Sequence, residues 1–202
     1  MEKQIHILHL EDNHADAELI QVRLESANIP CHITLVKKGD QFIKALQEQE
    51  FDIILADYRL PGYDGISALH SANELCPNTP FIFVSGTLGE DAAIEGLTQG
   101  ATDYVPKQKL IRLVPAIKRA LSEAEVRREH QLAEEALRKS EEKWRLLYEN
   151  LPGGSFVVNK DYIIEDVNDI LCVLTDYRKE ELVGQLCSII CPKGPHKCPI
   201  FD

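Results

Sequence analysis

Short apolar blocks rich in Ile, Val, Leu and Phe recur along the first half of the chain, each followed by apolar residues at helical spacing. The blocks are residues 4–10 (QIHILHL), 31–36, 51–56, 80–84 and 102–105. They are too short for helices and β-branched enough for strands buried on both faces. Between them, residues 14–27 carry Ala15, Leu19 and Val22 at helical spacing with Ile20 and Leu24 beside them, behind Asn13 as N-cap and with Asp16 and Glu18 in the first turn. A second helix is expected after Lys38-Gly39-Asp40 through Phe42, Ile43, Ala45 and Leu46. A third covers 66–75, and a fourth covers 90–98 and stops at Gly100. Strands alternating with helices predict an α/β fold, a doubly wound five-stranded parallel sheet with helices on both faces, because each parallel pair needs a right-handed crossover.

The pattern changes beyond the last strand. From Leu110 to Leu151 there is no turn signal, so one long helix is expected, bent or started by Pro115. Val126, His130, Ala133, Leu137, Ser140, Trp144, Leu147 and Leu151 alternate steps of four and three, a coiled-coil seam weakened by its small and polar members. A parallel homodimer through this seam is the expectation, and a solvated single helix with i,i+4 ion pairs is the alternative. After Pro152-Gly153-Gly154 come short strands at 155–158 and 162–167, then a helix at 169–175.

Composition narrows the functions open to such a chain. Of its 33 acidic and 22 basic residues, 17 and 11 fall in residues 1–122, so both halves share the net charge of −11. Neither half offers the basic face that binding a phosphate backbone needs, which argues against direct nucleic-acid binding. No apolar run approaches a membrane span and the N-terminus has no signal-peptide layout, so a cytoplasmic protein without a membrane role is expected.

The candidate chemistry lies at the C-terminal ends of the expected strands. Glu11 and Asp12 end the first, Asp57 the third, Ser85 the fourth and Lys107 the fifth. That edge is where open α/β sheets hold ligands. Converging carboxylates need a cation, and an oxygen-rich, partly hydrated site suits Mg²⁺. A carboxylate beside such an ion can attack phosphorus, with Asp57 as nucleophile, Lys107 pairing one phosphoryl oxygen and Ser85 donating to another. Each residue taken alone also has an ordinary role, as helix charge, turn hydroxyl or surface lysine. Their coincidence on one edge is what argues for a site.

ILHLEDN, ILADYRLPGYDG, FVSG and GATDYVPK resemble the four signature segments of the response-regulator receiver domain of two-component signalling, in order, over about residues 1–122. The resemblance implies a flavodoxin-like fold in which Asp57 is the phosphoacceptor. It implies Mg²⁺ on Glu11, Asp12, Asp57 and the backbone carbonyl of Arg59, with Lys107 pairing the phosphate. Ser85 and Tyr104 would be the switch pair, and a sensor histidine kinase or phosphotransfer protein the donor. Two positions depart from the family. Gln108 follows the lysine where proline is usual, and Pro106 precedes it; His9 occupies a normally apolar strand position and is read as a satisfied core or rim histidine.

SEEKWRLLYENLPGGSFVVNKDYIIEDVND followed by LTDYRKEELVGQ is similar to the opening half of a PAS sensor domain, an α+β module. A complete one needs about three more strands, so the chain is expected to be part of a longer protein in which a kinase or cyclase domain follows. The domains are thus expected as receiver at 1–122, helical linker at 123–148 and a partial PAS-like module at 149–202. In the tail, Cys187, Cys191 and Cys198 with His196, and Cys172 nearby, match no standard zinc spacing. Free thiols are expected there, and a metal or iron–sulfur site is the alternative.

The combined expectation is phosphorelay: the receiver accepts a phosphoryl group on Asp57 and relays the change through the linker, without itself being an enzyme. Two alternatives remain at this point. One is an Mg²⁺-dependent phosphohydrolase with Asp57 as nucleophile, for which Arg59 stands where a second acid/base carboxylate belongs. The other is a metal or redox sensor built on the tail cysteines.

Overall fold

The computed structural model describes residues 4–86 and 90–190, and the chain divides between Gln131 and Leu132 into two compact units. The first unit opens with β1 (Ile5–Leu10), α1 (His14–Ser26), β2 (Cys31–Val36), α2 (Gly39–Glu48) and β3 (Ile53–Ala56). A small hairpin, β4 (Arg59–Leu60) and β5 (Tyr63–Asp64), precedes α3 (Gly65–Leu75), β6 (Phe81–Ser85), α4 (Glu90–Thr98) and β7 (Asp103–Pro106). The five long strands form one sheet in the order β2-β1-β3-β6-β7, every pairing parallel. The expected fold is present.

Two apolar layers hold the sheet. Leu8, Leu10, Ile54, Phe81 and Phe83 face Phe42 and Leu46 of α2 and Ala68 and Leu69 of α3. Ile7, Ile53, Leu55, Ile82, Val84 and Val105 face Ile20 and Leu24 of α1 and Leu113 and Ile117 farther along the chain. All four residues of β3 are buried, which is why its sequence shows no polar alternation.

Three details correct the pattern-based reading. The buried stripe of α1 is Ala17, Ile20 and Leu24, while Leu19 and Val22 are exposed; the helix is turned by about one residue from the stripe its sequence suggests. The hairpin β4–β5 was not expected, its pairs being Arg59 with Asp64 and Leu60 with Tyr63. Pro61 and Gly62 make its turn, Gly62 at φ +76°, the positive φ that a turn with proline before glycine demands. Finally, residues after β7 do not enter the long helix at Leu110. They form a 3₁₀ stretch, Lys107–Arg112, with Lys109 at φ −126° and ψ 42°, and α5 (Leu113–Glu149) begins only then. Pro115 thus lies in the first turn of α5, where its missing N–H has no intrahelical partner to lose.

The second unit contains the C-terminal part of α5, β8 (Phe156–Val158), β9 (Ile164–Val167), α6 (Asp169–Thr175) and α7 (Lys179–Leu182), then a 3₁₀ turn at Cys187–Ile189. β8 and β9 pair antiparallel around a core of Ile164, Val167, Leu171, Leu182 and Cys187. Of the seam residues, Val126, Leu137, Trp144, Leu147 and Leu151 are exposed, and Trp144 stacks on Tyr148 with ring centroids 4.8 Å apart.

Candidate functional site

The sheet changes winding direction between β1 and β3, since β2 lies outside β1 on one side and β6 beyond β3 on the other. Such a switch point opens a crevice at the strands' C-terminal ends. The register pairs Leu10 with Ala56, so Glu11 and Asp57 leave adjacent strands side by side. Asp57 N–H donates to the Leu10 carbonyl at 2.9 Å and extends the ladder by one bond. Gly65 opens α3 directly behind: a Cβ there would meet the Asp57 carbonyl at 3.0 Å and Tyr58 Cα at 2.7 Å, so only glycine allows this approach.

Lys107, at the end of β7, closes the crevice. Its Nζ donates to Glu11 Oε2 at 2.6 Å, Asp16 Oδ2 at 2.7 Å and Asp57 Oδ2 at 2.7 Å. Asp57 Oδ1 accepts the Arg59 N–H at 3.2 Å, and Glu11 Oε1 accepts the Asn13 N–H at 3.1 Å. Burial works against the Lys107 ammonium, but its three carboxylate hydrogen bonds outweigh that and hold it well above the ordinary lysine range. Burial likewise pushes the Glu11 carboxyl up, against the pull of Lys107.

Ser85 and Tyr104 lie on β6 and β7, the strands that follow β3 in the sheet. The register pairs Phe83 with Tyr104 and Ser85 with Pro106, so the two are diagonal neighbours on adjacent strands. Ser85 is buried with no hydrogen-bond partner for its Oγ, an orphaned hydroxyl at the crevice rim. Tyr104 is half-buried against the α2–α3 layer, and burial, with the charge of Asp57, raises its phenol pKa. Gln108, where the family usually has proline, donates its side-chain amide to the Gly86 carbonyl, and none of the described peptide bonds is cis.

The structure therefore brings Glu11, Asp57 and Lys107 together and sets Ser85 and Tyr104 beside them on the next strands. Asp12 is exposed and is not among the carboxylates on Lys107. Asp16 takes that place and was read from the sequence only as a helix-terminus charge. Its signal was available: it lies one turn before Ile20, at the head of the true buried stripe of α1. Among the described residues no group of three His, Cys, Asp or Glu is disposed to hold a metal ion. Cys191, His196 and Cys198 lie outside the described residues, and Cys187 is a buried free thiol. The donors at the crevice are carboxylate oxygens, hard ligands of the kind that Mg²⁺ takes.

His9, two residues before Glu11, is also buried, between Leu35 and Leu55, with Nε2 unpartnered. Burial, then the nearby Lys107 charge, lowers its pKa to about 4. It is a neutral imidazole and not the satisfied residue expected. Because the folded pKa lies below the unfolded value, stability is full above about pH 6.5 and is lost as pH falls toward 4. The expected slope approaches one proton, about 1.4 kcal/mol per pH unit. Denaturation across that window should show the slope, and His9→Leu should remove it.

The response regulator receiver domain matches residues 7–118, more than half of the chain, and the chain belongs to that family. It is thus a receiver domain of two-component response regulators, with further sequence after it. It is 30% identical over 114 residues to the DNA-binding transcriptional regulator NtrC of Salmonella typhimurium, covering 56% of this chain and 24% of that one. The chain thus spans about a quarter of the length of that curated relative. Among solved structures, the receiver domain of the sensor histidine kinase PA1611 of Pseudomonas aeruginosa is 29% identical with a TM-score of 0.53, covering 59% of this chain and 99% of that one. That structure has magnesium coordinated in its active-site cleft. Full-length FixJ of B. japonicum is 28% identical with a TM-score of 0.55, covering 61% of this chain and 60% of that one.

Proposed function

We propose that Asp57 accepts a phosphoryl group from a sensor histidine kinase or phosphotransfer protein, and that the change passes through α5 to a PAS-like module. The observation that carries this reading is the 2.7 Å contact of Lys107 Nζ with Asp57 Oδ2, in a cluster that also contains Glu11. An Asp57 carboxylate oxygen attacks phosphorus, the bond from phosphorus to the donor nitrogen breaks, and its electron pair stays on the imidazole. Glu11, Asp12, Asp57 and the Arg59 carbonyl would hold Mg²⁺, which when bound neutralises charge on the phosphoryl oxygens. Lys107 pairs one of those oxygens, and Ser85, with an unspent donor, turns toward another. Tyr104 then fills the space that Ser85 leaves on its face of the sheet.

Exposed Val126, Leu137, Trp144 and Leu147 at heptad spacing favour a homodimer through α5. No helix among the described residues is long and apolar enough to cross a membrane, in keeping with action in the cytoplasm. The test is incubation with a small acyl-phosphate donor and Mg²⁺, followed by mass mapping. One phosphoryl group on Asp57 is expected, and none on an Asp57→Asn variant. Label at another residue, or undiminished label in the variant, would overturn the reading.

A further inference from the structure

An ammonium has three N–H donors and no acceptor, and Lys107 has spent all three, on Glu11, Asp16 and Asp57. A phosphoryl group on Asp57 inherits the one N–H that Asp57 now accepts, and any further pairing with Lys107 needs Glu11 or Asp16 to let go. The three are not equally free to leave. The Glu11 side chain is 0% exposed and is also pinned by the Asn13 N–H. Asp57 is 12% exposed and carries the new group itself. Asp16 is 29% exposed, in the first turn of α1.

We propose that Asp16 is a positioning residue, a releasable anchor that holds Lys107 while Asp57 is unmodified and yields its N–H to the incoming phosphoryl oxygen. The inference rests on Asp57 being the phosphoacceptor. Ser85, on the next strand, has a buried Oγ without a hydrogen-bond partner and so a donor to offer a phosphoryl oxygen. When Asp57 attacks phosphorus and the leaving group departs with its electron pair, the Asp57 side chain goes from one negative charge to about two, so the crevice gains about one. Asp16 then competes with the phosphoryl group for Lys107, and its own charge repels the donor. Its carboxylate thus raises the donor concentration needed and shortens the life of the phosphorylated form.

The test uses the full chain, Mg²⁺ and a small acyl-phosphate donor, comparing wild type with Asp16→Ala, Asp16→Asn and Asp16→Glu. Phosphorylation at Asp57 is read by mass, as the donor concentration for half-maximal occupancy and as the half-life after donor removal. Asp16→Ala should lengthen the half-life and lower the half-maximal concentration, each by about threefold to fivefold, the upper scale of one partly exposed ion pair. Asp16→Asn, a weaker acceptor of equal size, should fall between, and Asp16→Glu should return both values toward wild type. A merely structural role would not be rescued by glutamate in this graded way. Values within twofold of wild type for both Ala and Asn overturn the proposal, as does a Glu variant that behaves like Ala. If wild type itself takes no label on Asp57, the underlying phosphoacceptor reading has failed and the proposal falls with it.

Discussion

Lys107→Met should destabilise the first unit by about 2–4 kcal/mol at neutral pH, because it leaves three gathered carboxylates without their cation. Asp16 can turn to water and recover part of the loss, but Glu11 cannot, its side chain being fully enclosed. The pH dependence identifies the cause. In the wild type the Lys107 pKa is raised, so its contribution is complete below the unfolded lysine value and is lost only as pH climbs through the higher folded one. Lysine is therefore fully charged across the neutral range. In the variant, burial pushes Glu11 up with no ammonium to oppose it. A carboxyl with a raised folded pKa costs stability as pH rises above its unfolded value of about 4.3. The deficit against wild type should thus be smallest near pH 4.5 and widen toward pH 7.5. The His9 contribution does not cancel, because the Lys107 charge helps to lower its pKa, so wild type and variant are compared in a His9→Leu background. Exchange of the β1 and β3 amides reads this unit directly, and a deficit that stays constant over that range would show that charge compensation is not what Lys107 supplies.

The residues that make this cluster differ in how plainly the sequence announces them. Asp57 and Glu11 were legible because parallel strands end abruptly: an apolar run stops, a carboxylate follows, and the register of the sheet does the rest. Lys107 and Ser85 follow by the same logic on β7 and β6. Asp16 was not legible from the same pattern, because α1 is apolar on more than one side. Leu19 and Val22 look as core-like as Ile20 and Leu24, and only packing decides which stripe faces the sheet. The hairpin β4–β5 was hidden for another reason: pairs this short leave no alternation to read, and Pro61-Gly62 announces a turn without saying what flanks it. The 3₁₀ stretch at Lys107–Arg112 has no breaker in its sequence, and it is the geometry required to bring Lys107 to the crevice before α5 starts.

In the second unit the largest effect should come from Asn168→Ala, a loss of about 3–5 kcal/mol from four interrupted hydrogen bonds at a buried side chain. Asn168 is 0% exposed. Its Oδ1 accepts the Ser155 N–H at 2.8 Å and the Leu171 N–H at 3.0 Å, serving as N-cap of α6. Its Nδ2 donates to the Tyr148 carbonyl at 3.3 Å and the Gly153 carbonyl at 3.0 Å. Tyr148 is in the last turn of α5, whose carbonyls have no intrahelical partner, so one amide ties the end of α5 to β8 and α6. Tyr148 adds a second tie, its hydroxyl donating to the Ser155 carbonyl at 3.0 Å. Asn168→Asp should fare no better than alanine: it keeps both acceptors but turns a carboxylate toward two carbonyl oxygens. Trp144, the single tryptophan, stacks on Tyr148 and reports this unit alone. Its fluorescence should show unfolding at lower denaturant in both variants, while exchange at β1 and β3 stays at wild-type rates. An unchanged midpoint would mean that α5 is held to this unit by the Tyr148 hydroxyl and apolar contacts, and that Asn168 is not the joint through which movement of the helix reaches the strands.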